Sequence, residues 1–264
     1  MALRRRLCDA LIRLCLARGR ALSEAELRRP ALVIAPHPDD EVLGCGGTIR
    51  RMRQLGVPVD LLFLTDGRHS HRGAVDRATL ARQREAEARG AAAALLVEPA
   101  RVHFLAHEDL HLADAAAPAR QQVAAWLRAH RPLQVLIPSR HDGHPDHRAA
   151  NHIARAALRD AGLSAAILEY VVHLWWRWPW CARSPEGAAY PPGERLRGLL
   201  AALRTLLLAS RFARIEADHK RQALAAHASQ VGDLLPGGPN LQRWSDGEYL
   251  AWACAEHELF RPAS

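Results

Sequence analysis

The chain reads as two hydrophobic periodicities in alternation. Residues 3–18 place Leu3, Leu7, Leu11 and Leu14 on one helical face with arginines elsewhere, which predicts an amphipathic helix. From residue 31 the rhythm changes. Short apolar runs at ALVIAP (31–36), VDLLFLTDG (59–67), VHFLA (102–106), QVLIPS (134–139) and AAILEYVVH (165–173) predict buried strands. Helical stretches separate them: EVLGCGGTIRRMRQLG (41–56), loosened by small residues, then ATLARQREAEARGAAAALLV (78–97), APARQQVAAWLRAHR (117–131) and DHRAANHIARAALRDAG (146–162). Near-continuous apolar strands alternating with helices predict an α/β fold, a mostly parallel sheet covered on both faces.

After residue 173 the pattern loosens. WWRWPW (175–180) and the Pro/Gly-rich stretch to Gly193 read as an ordered loop. Residues 195–214 predict a second arginine-rich amphipathic helix, with Leu196, Leu199, Leu200, Leu203, Leu206 and Leu207 on one broad face. A helix over 216–228, a loop at DLLPGGPN and a last helix over 245–257 complete the chain. The expected organisation is an N-terminal amphipathic helix in 1–29 and a single domain over 30–264 that ends in a helical extension.

Polar residues collect where the strands end. His37, Asp39, Asp40 and Glu41 follow the first strand, Asp66 of TDG the second, and SRHDGHPDH the fourth. In parallel sheets ligands bind beyond the carboxyl ends of strands, so these clusters are expected on one rim. Imidazole nitrogen and carboxylate oxygen suit Zn²⁺, and a catalytic zinc uses three protein ligands and keeps one position open. His37 and Asp40, three residues apart at a strand-to-helix turn, together with His147, make such a set. Asp39 beside them suits a general base toward an attacking water; it is equally placed to cap the following helix. A protonated His144, three residues before His147, would stabilise an oxyanion or protonate a leaving amine, and Asp146 would hold a histidine in orientation. Gly44, Gly46 and Gly47 lack the GxGxxG spacing of a dinucleotide loop, and close helix–strand packing accounts for them better.

Composition narrows this picture. A chain of 264 residues suits one large domain, and 49% hydrophobic content excludes a disordered class. The net charge of +8 is carried by arginine, since Lys220 is the only lysine. That excess favours anionic partners such as phosphates or lipid headgroups; nucleic acid is not expected, because basic residues interleave with aromatics only around WWRWPW. Five cysteines without a CxxC exclude a zinc ribbon or thioredoxin-like motif and fit a reducing cytoplasm. No stretch approaches the length of a spanning helix, and the basic N-terminus lacks a signal-peptide core. The two arginine-rich helices and Trp175, Trp176, Trp178 and Trp180 raise two alternatives: peripheral contact with the inner membrane face, with the tryptophans at the site mouth, or plain packing on the domain.

APHPDDE, TDG, an R-x-x-E helix, HPDH and HASQ, taken in that order, resemble the LmbE-like (PIG-L) deacetylases over about residues 31–262. The resemblance implies a Rossmann-like three-layer fold and a zinc-dependent N-acetylglucosaminyl deacetylase, with Fe²⁺, Mn²⁺ or Co²⁺ as alternative metals. Its substrate would be an N-acetylglucosamine-containing small molecule or glycolipid, lipid- or phosphate-linked, and acetate would be released. It assigns His37, Asp40 and His147 as ligands, Asp39 as base, and His144 with Asp146 as the oxyanion or proton-relay pair. It places Arg82, with Glu85, at the sugar, beside a substrate-side set of Asp66, Asp142 and His227. Some members carry a tyrosine where this chain has Asp142, so the acid falls to His144 or His227. Two rivals stay open: an amidase cutting a larger acyl or thiol-conjugate amide, and a non-catalytic metal-containing module that binds sugar or nucleotide.

Overall fold

The computed structural model describes residues 2–71, 75–184, 187–232 and 240–263. Helix α1 (Ala2–Arg18) leads through a two-residue strand β1 (Arg20–Ala21) and a short helix α2 (Glu24–Leu27) into the alternating part. There β2 (Ala31–Ala35), α3 (Asp40–Gln54), β3 (Val59–Thr65), α4 (Arg77–Ala94), β4 (Val102–His107), α5 (Ala116–His130), β5 (Gln134–Pro138), α6 (Pro145–Ala161) and β6 (Ala166–Tyr170) follow one another. The C-terminal part holds α7 (Pro192–Leu208), β7 (Arg211–Arg214), α8 (Ala217–Ala225), α9 (Ala228–Val231), α10 (Glu248–Ala253) and β8 (His257–Ala263).

The strands form one sheet in the order β1-β7-β8-β6-β5-β2-β3-β4, parallel except where β8 runs antiparallel between β6 and β7. Alternation along β2 sets the layers. Ala31, Val33 and Ala35 face one core with Ile49, Met52 and Ala88 of α3 and α4, while Leu32 and Ile34 face a second with Val123, Leu127 and Ile153 of α5 and α6. All five residues of β2 and of β5 are buried, as expected of central strands covered on both sides. The expected three-layer α/β fold is therefore present.

The C-terminal part departs from the sequence reading. The helix expected over 195–214 stops at Leu208, and RFAR becomes β7; the helix expected over 245–257 spans only Glu248–Ala253, and HELFRPA becomes β8. Neither segment shows the apolar run of a central strand, because each carries arginine and β8 also carries Pro262. Most of the loop expected at DLLPGGPN, and residues 185–186 of the one expected before Gly193, lie outside the described residues. The N-terminal segment joins the domain: β1 pairs with β7 (Arg20 opposite Arg211, Ala21 opposite Phe212), and α1 packs against α7.

Helix α3 is broken at Cys45, where φ is −151° and ψ 21°. Glycines permit the break to pack: a Cβ at Gly44 would lie 2.2 Å from the Tyr170 ring, and one at Gly47 2.5 Å from Ile215. A break exposes carbonyls of the first half and N–H groups of the second, which need partners when buried. Lys220 donates from Nζ to the Leu43 carbonyl (2.9 Å), and Glu258 accepts from the N–H groups of Gly47 (2.9 Å) and Thr48 (2.8 Å). Lys220 and Glu258 also pair at 2.8 Å, both almost fully buried. The ion pair thus caps both sides of the kink with the charge each side favours. Removing one partner strands a buried charge, so Lys220→Met is expected to lower the unfolding free energy by about 3 kcal/mol or more. Lys220→Met with Glu258→Gln should cost less than the two single changes summed. Urea denaturation checks this, and a wild-type midpoint in Lys220→Met would remove the capping role.

Candidate metal and catalytic site

From β2 the chain runs outward to β3 and β4, then returns to lay β5 and β6 on the other side of β2. Such a reversal opens a crevice at the carboxyl ends of the two central strands. His37 leaves β2 there, Asp40 opens α3, and residues 142–147 lead from β5 into α6. Sequence segments about a hundred residues apart are thereby placed face to face.

Asp40 Oδ2 is the meeting point. It lies 3.1 Å from His37 Nδ1 and 3.1 Å from His147 Nε2, and it accepts the His37 backbone N–H at 2.9 Å. Each histidine has a second carboxylate behind it. Asp146 Oδ2 lies 3.1 Å from His37 Nε2 and is itself held by the N–H groups of Leu110 (2.6 Å) and Leu112 (3.3 Å). Asp142 Oδ1 lies 3.4 Å from His147 Nδ1 and 2.7 Å from His173 Nδ1. A carboxylate on the outer nitrogen fixes the tautomer and aims the inner nitrogen at a metal.

The residues fit a divalent cation. His147 is fully buried, yet neither ring nitrogen makes a hydrogen bond of acceptable geometry, although Nε2 sits close to Asp40. Ring nitrogens of His37, His144 and His147 lie within 4.8 Å of one another. Asp142, His147 and His173 form a second such group, but Asp142 and His173 already satisfy each other. The electrostatics agree. Burial opposes a charged ring at His37, but hydrogen bonds to Asp146 and Asp40 raise its pKa to about 9. Burial likewise opposes charge on His147, and Asp40 and Asp142 override it, giving about 10. The carboxylates demand positive charge at this point, which two neutral imidazoles and a divalent ion would supply together.

Asp39 adjoins the cluster in a backbone conformation that non-glycine residues avoid, with φ 135° and ψ −25°. Strain of this kind costs on the order of 1–3 kcal/mol and collects at functional sites. It occupies the N-cap position of α3, but its side chain makes no capping hydrogen bond. Asp39 Oδ2 instead lies 3.3 Å from Arg84 Nη2, and its backbone N–H donates to Glu41 (3.0 Å). Burial raises the Asp39 pKa to about 6 against the pull of Arg84.

His144 caps α6 by accepting the Asp146 N–H at Nδ1 (3.2 Å), so its proton sits on Nε2. Burial, helped by His37 and His147, lowers its pKa to about 3. A lowered pKa leaves His144 neutral with Nε2–H free to donate, where the sequence expectation was a protonated imidazole in the same oxyanion place.

The expected substrate-side set is scattered. Arg82 is exposed and donates to Thr79 (3.0 Å), while Glu85 pairs with Arg89 (2.8 Å). The same R-x-x-E spacing recurs at Arg84 and Glu87, both buried. Two residues turn a helix by about 200°, so Arg84 faces the site where Arg82 faces away. Arg84 binds the carbonyls of Gly67 and Pro38 and pairs with Asp39; Glu87 accepts from Ser229 N–H (2.9 Å) and Oγ (2.6 Å). Asp66 holds Arg68 (2.7 Å). Asp142 sits behind His147 and His173, a positioning place. His227 is fully buried with Nε2 2.9 Å from Glu41. His173, which the sequence left at the end of a strand, instead opens a short 3-10 turn (His173–Trp176) just past β6 and packs on Trp176 at 4.0 Å; its place at the expected strand end was the available signal. Trp175 and Trp180 are buried against each other (5.0 Å), a core cap rather than a site mouth.

The family described as GlcNAc-PI de-N-acetylase (PIG-L) matches residues 32–158, from β2 through most of α6. This segment belongs to the PIG-L family. Its match includes every residue of the His/Asp cluster except His173. Diacetylchitobiose deacetylase of Thermococcus kodakarensis is 36% identical over 139 residues, 51% of each chain. The probable N-acetyl-alpha-D-glucosaminyl L-malate deacetylase 2 of Bacillus cereus is 30% identical over 138 residues, 50% of this chain and 61% of that one. The matched region thus spans a little over half the length of these curated relatives. Among solved structures, diacetylchitobiose deacetylase of Pyrococcus horikoshii superposes with a TM-score of 0.65 at 21% identity, covering 89% of this chain and 84% of its own. That likeness shows a shared fold across the C-terminal part as well.

Replacing His37, Asp40 or His147 by Ala is expected to abolish zinc retention after gel filtration, measured by plasma mass spectrometry. Asp142→Asn, which leaves the three candidate ligands but loosens His147, should weaken affinity about 10- to 100-fold. Full zinc occupancy in all three alanine variants would place the metal elsewhere.

Proposed function

We propose that this protein is a zinc-dependent hydrolase that removes the N-acetyl group from an N-acetylglucosamine-containing glycoconjugate and releases acetate. The observation that carries the reading is Asp39: a buried, strained carboxylate, uncommitted to its cap, beside a three-donor cluster whose His37 and His147 rings also border a neutral His144. His37, Asp40 and His147 would hold the ion. When bound there, a divalent ion polarises the acetamide carbonyl and acidifies the attacking water.

The chain's own groups then move the protons. Asp39 accepts a proton from the water as its oxygen bonds to the carbonyl carbon. His144 donates from Nε2 to the oxyanion that develops. As the carbon–nitrogen bond breaks, the proton on Asp39 passes to the departing amine, leaving acetate and a free glucosamine unit. Arg84, tied to two loop carbonyls, holds Asp39 in place. The Glu41–His227 pair fixes the Asp39 N–H from beneath, so His227 supports the base rather than serving as acid.

The reading extends to location. No helix among the described residues is long and apolar enough to cross a membrane. Among the described residues, five of the eight large hydrophobic residues that stand exposed are Leu3 and Leu14 of α1 and Leu196, Leu200 and Leu207 of α7. Both helices also bury an inner face, through Cys8, Leu11 and Cys15 of α1 and Ala202 and Leu206 of α7. The outer leucines stand beside exposed Arg6, Arg13, Arg197 and Arg204, a composition complementary to anionic lipid. We place the enzyme in the cytoplasm, where five buried free thiols are at home, peripheral to the inner membrane face.

Asp39→Asn should keep the zinc and lower kcat for acetate release about 10²- to 10⁴-fold. His144→Ala should lower it about 10²- to 10³-fold. Near-normal turnover in Asp39→Asn would move the base elsewhere, and release of a larger acid in place of acetate would favour the amidase. For the membrane contact, vesicles containing phosphatidylglycerol should co-sediment the protein at low salt, and Leu200→Glu with Leu207→Glu should abolish this. Absence of co-sedimentation by the wild type would mean that the leucines meet something other than lipid.

A further inference from the structure

Beyond the break in α3, a cleft of about 310 Å³ opens between the second half of that helix and the turn from β7 into α8. Arg50, Arg51 and Gln54 form one wall, and Arg214, Glu216 and His219 the other. The walls meet where Gly47 packs on Ile215 with no room for a Cβ. Arg50 stands ten residues past Asp40, about 15 Å along a helix, so the cleft is separate from the His/Asp cluster.

The cleft gathers positive charge that the fold leaves unpaired. Other arginines find acids: Arg53, on the same helix, pairs with Glu98, and Arg101 with Asp60. Among the described residues Arg50, Arg51 and Arg214 have no carboxylate partner. Arg50 donates to the Ala94 carbonyl and Arg51 to the Arg214 carbonyl (3.4 Å), neutral acceptors that leave both charges uncompensated. Arg50 Nε is shut off from solvent and makes no hydrogen bond. Glu216, the acid in the lining, is engaged by His219 at 3.0 Å. Helix α8 begins in the same wall. Glu216 is its N-cap but makes no side-chain capping bond, and Asp218 of its first turn pairs with Arg221. The first N–H groups of α8, at the positive end of the helix dipole, are therefore left to a ligand or to water. No Phe, Tyr or Trp lines the cleft, so it offers charge and donors and no stacking face. Guanidinium groups beside a helix N-terminus suit a multiply charged oxyanion.

We infer that this cleft is a binding site for diphosphate, taken free or as the diphosphate group of a nucleotide. Arg50 and Arg51 serve it from α3, and Arg214 with the first turn of α8 from the facing wall. Bound there, the anion joins the β7–α8 turn to the half of α3 whose N–H groups Glu258 caps at Gly47 and Thr48. The site is distinct from the one where the acetamide would react, and it stands whether or not the deacetylase reading holds.

The test is isothermal titration of the zinc-loaded protein with pyrophosphate at low salt. The wild type should bind it at one site, and Arg50→Gln with Arg214→Gln should weaken binding about tenfold or more. Arg214 is exposed and its side chain holds no other group among the described residues, so Arg214→Gln alone should fold as the wild type does and still weaken binding. Arg120→Gln removes the same charge from an exposed arginine of α5 that pairs with Asp160, and should leave binding unchanged. A second readout is the melting temperature, which pyrophosphate should raise in the wild type and far less in the double variant. No binding by the wild type overturns the site. So does equal binding by wild type and double variant, which would put the anion at the metal cluster, or an equal loss in Arg120→Gln, which would reduce it to diffuse attraction. Titration with ADP identifies the source. Binding tighter than that of pyrophosphate, with the same arginine dependence, assigns a nucleotide, and equal or weaker binding assigns free diphosphate.

Discussion

Asp40 is the point on which the site depends. A buried carboxylate facing two imidazole nitrogens at 3.1 Å each is tolerable only if positive charge sits among them. Everything nearby supports that arrangement. Asp146 and Asp142 orient the two rings from behind, and backbone N–H groups of Leu110, Leu112, His144 and His173 hold those two carboxylates. Five carboxylates and imidazoles are thus locked by loop backbone before any ligand arrives, and a fixed donor set is what allows tight binding with little reorganisation.

The C-terminal part is the buttress of this rim. Lys220 and Glu258 cap the break in α3, and the break lets its first turn, which carries Asp39, Asp40 and Glu41, take a path that a straight helix would not. HASQ works at the same place from outside: His227 binds Glu41, Ser229 binds Glu87, and Gln230 reaches Ser70. Strain at Asp39 persists because these contacts over-determine the turn. Residues far from the His/Asp cluster are therefore energetically coupled to Asp39 through packing and hydrogen bonds.

The sequence made the site legible where chemistry and topology coincide. His37, Asp40 and His147 could be grouped because HPDD and HPDH each follow an apolar run, and parallel strands put such ends on one rim. The element order to residue 173 followed from the same alternation. Three things were hidden. Arg82 and Arg84 both satisfy R-x-x-E, and only the helix's buried face distinguishes them. The strands β7 and β8 carry charged residues, because β7 lies near the sheet's edge and β8's Glu258 is committed to α3, so neither shows an apolar run. The division of labour among the acids was also unreadable: Asp142 and Asp146 look like site residues, and their place behind the rings emerges only from distances.

The use of charge across the molecule gives the last step. Lys220, the single lysine, is buried and neutralised, so the surface surplus is borne by arginine alone. Some of that surplus is spent within the fold, as where three arginines converge on Glu169. Among the described residues Arg177 and, on α7, Arg204 have no carboxylate partner, and α7 also shows leucines to solvent. An exposed leucine by itself is ordinary on a covering helix; three of them beside arginines on one helix are a pattern. Leucine beside arginine on one helix gives an outer face that is apolar and cationic at once, the pair of properties that an anionic amphiphile would meet. The His/Asp cluster and the outer face of α7 thus answer different demands: buried charge fixes the geometry of the first, and leucine beside arginine marks the second.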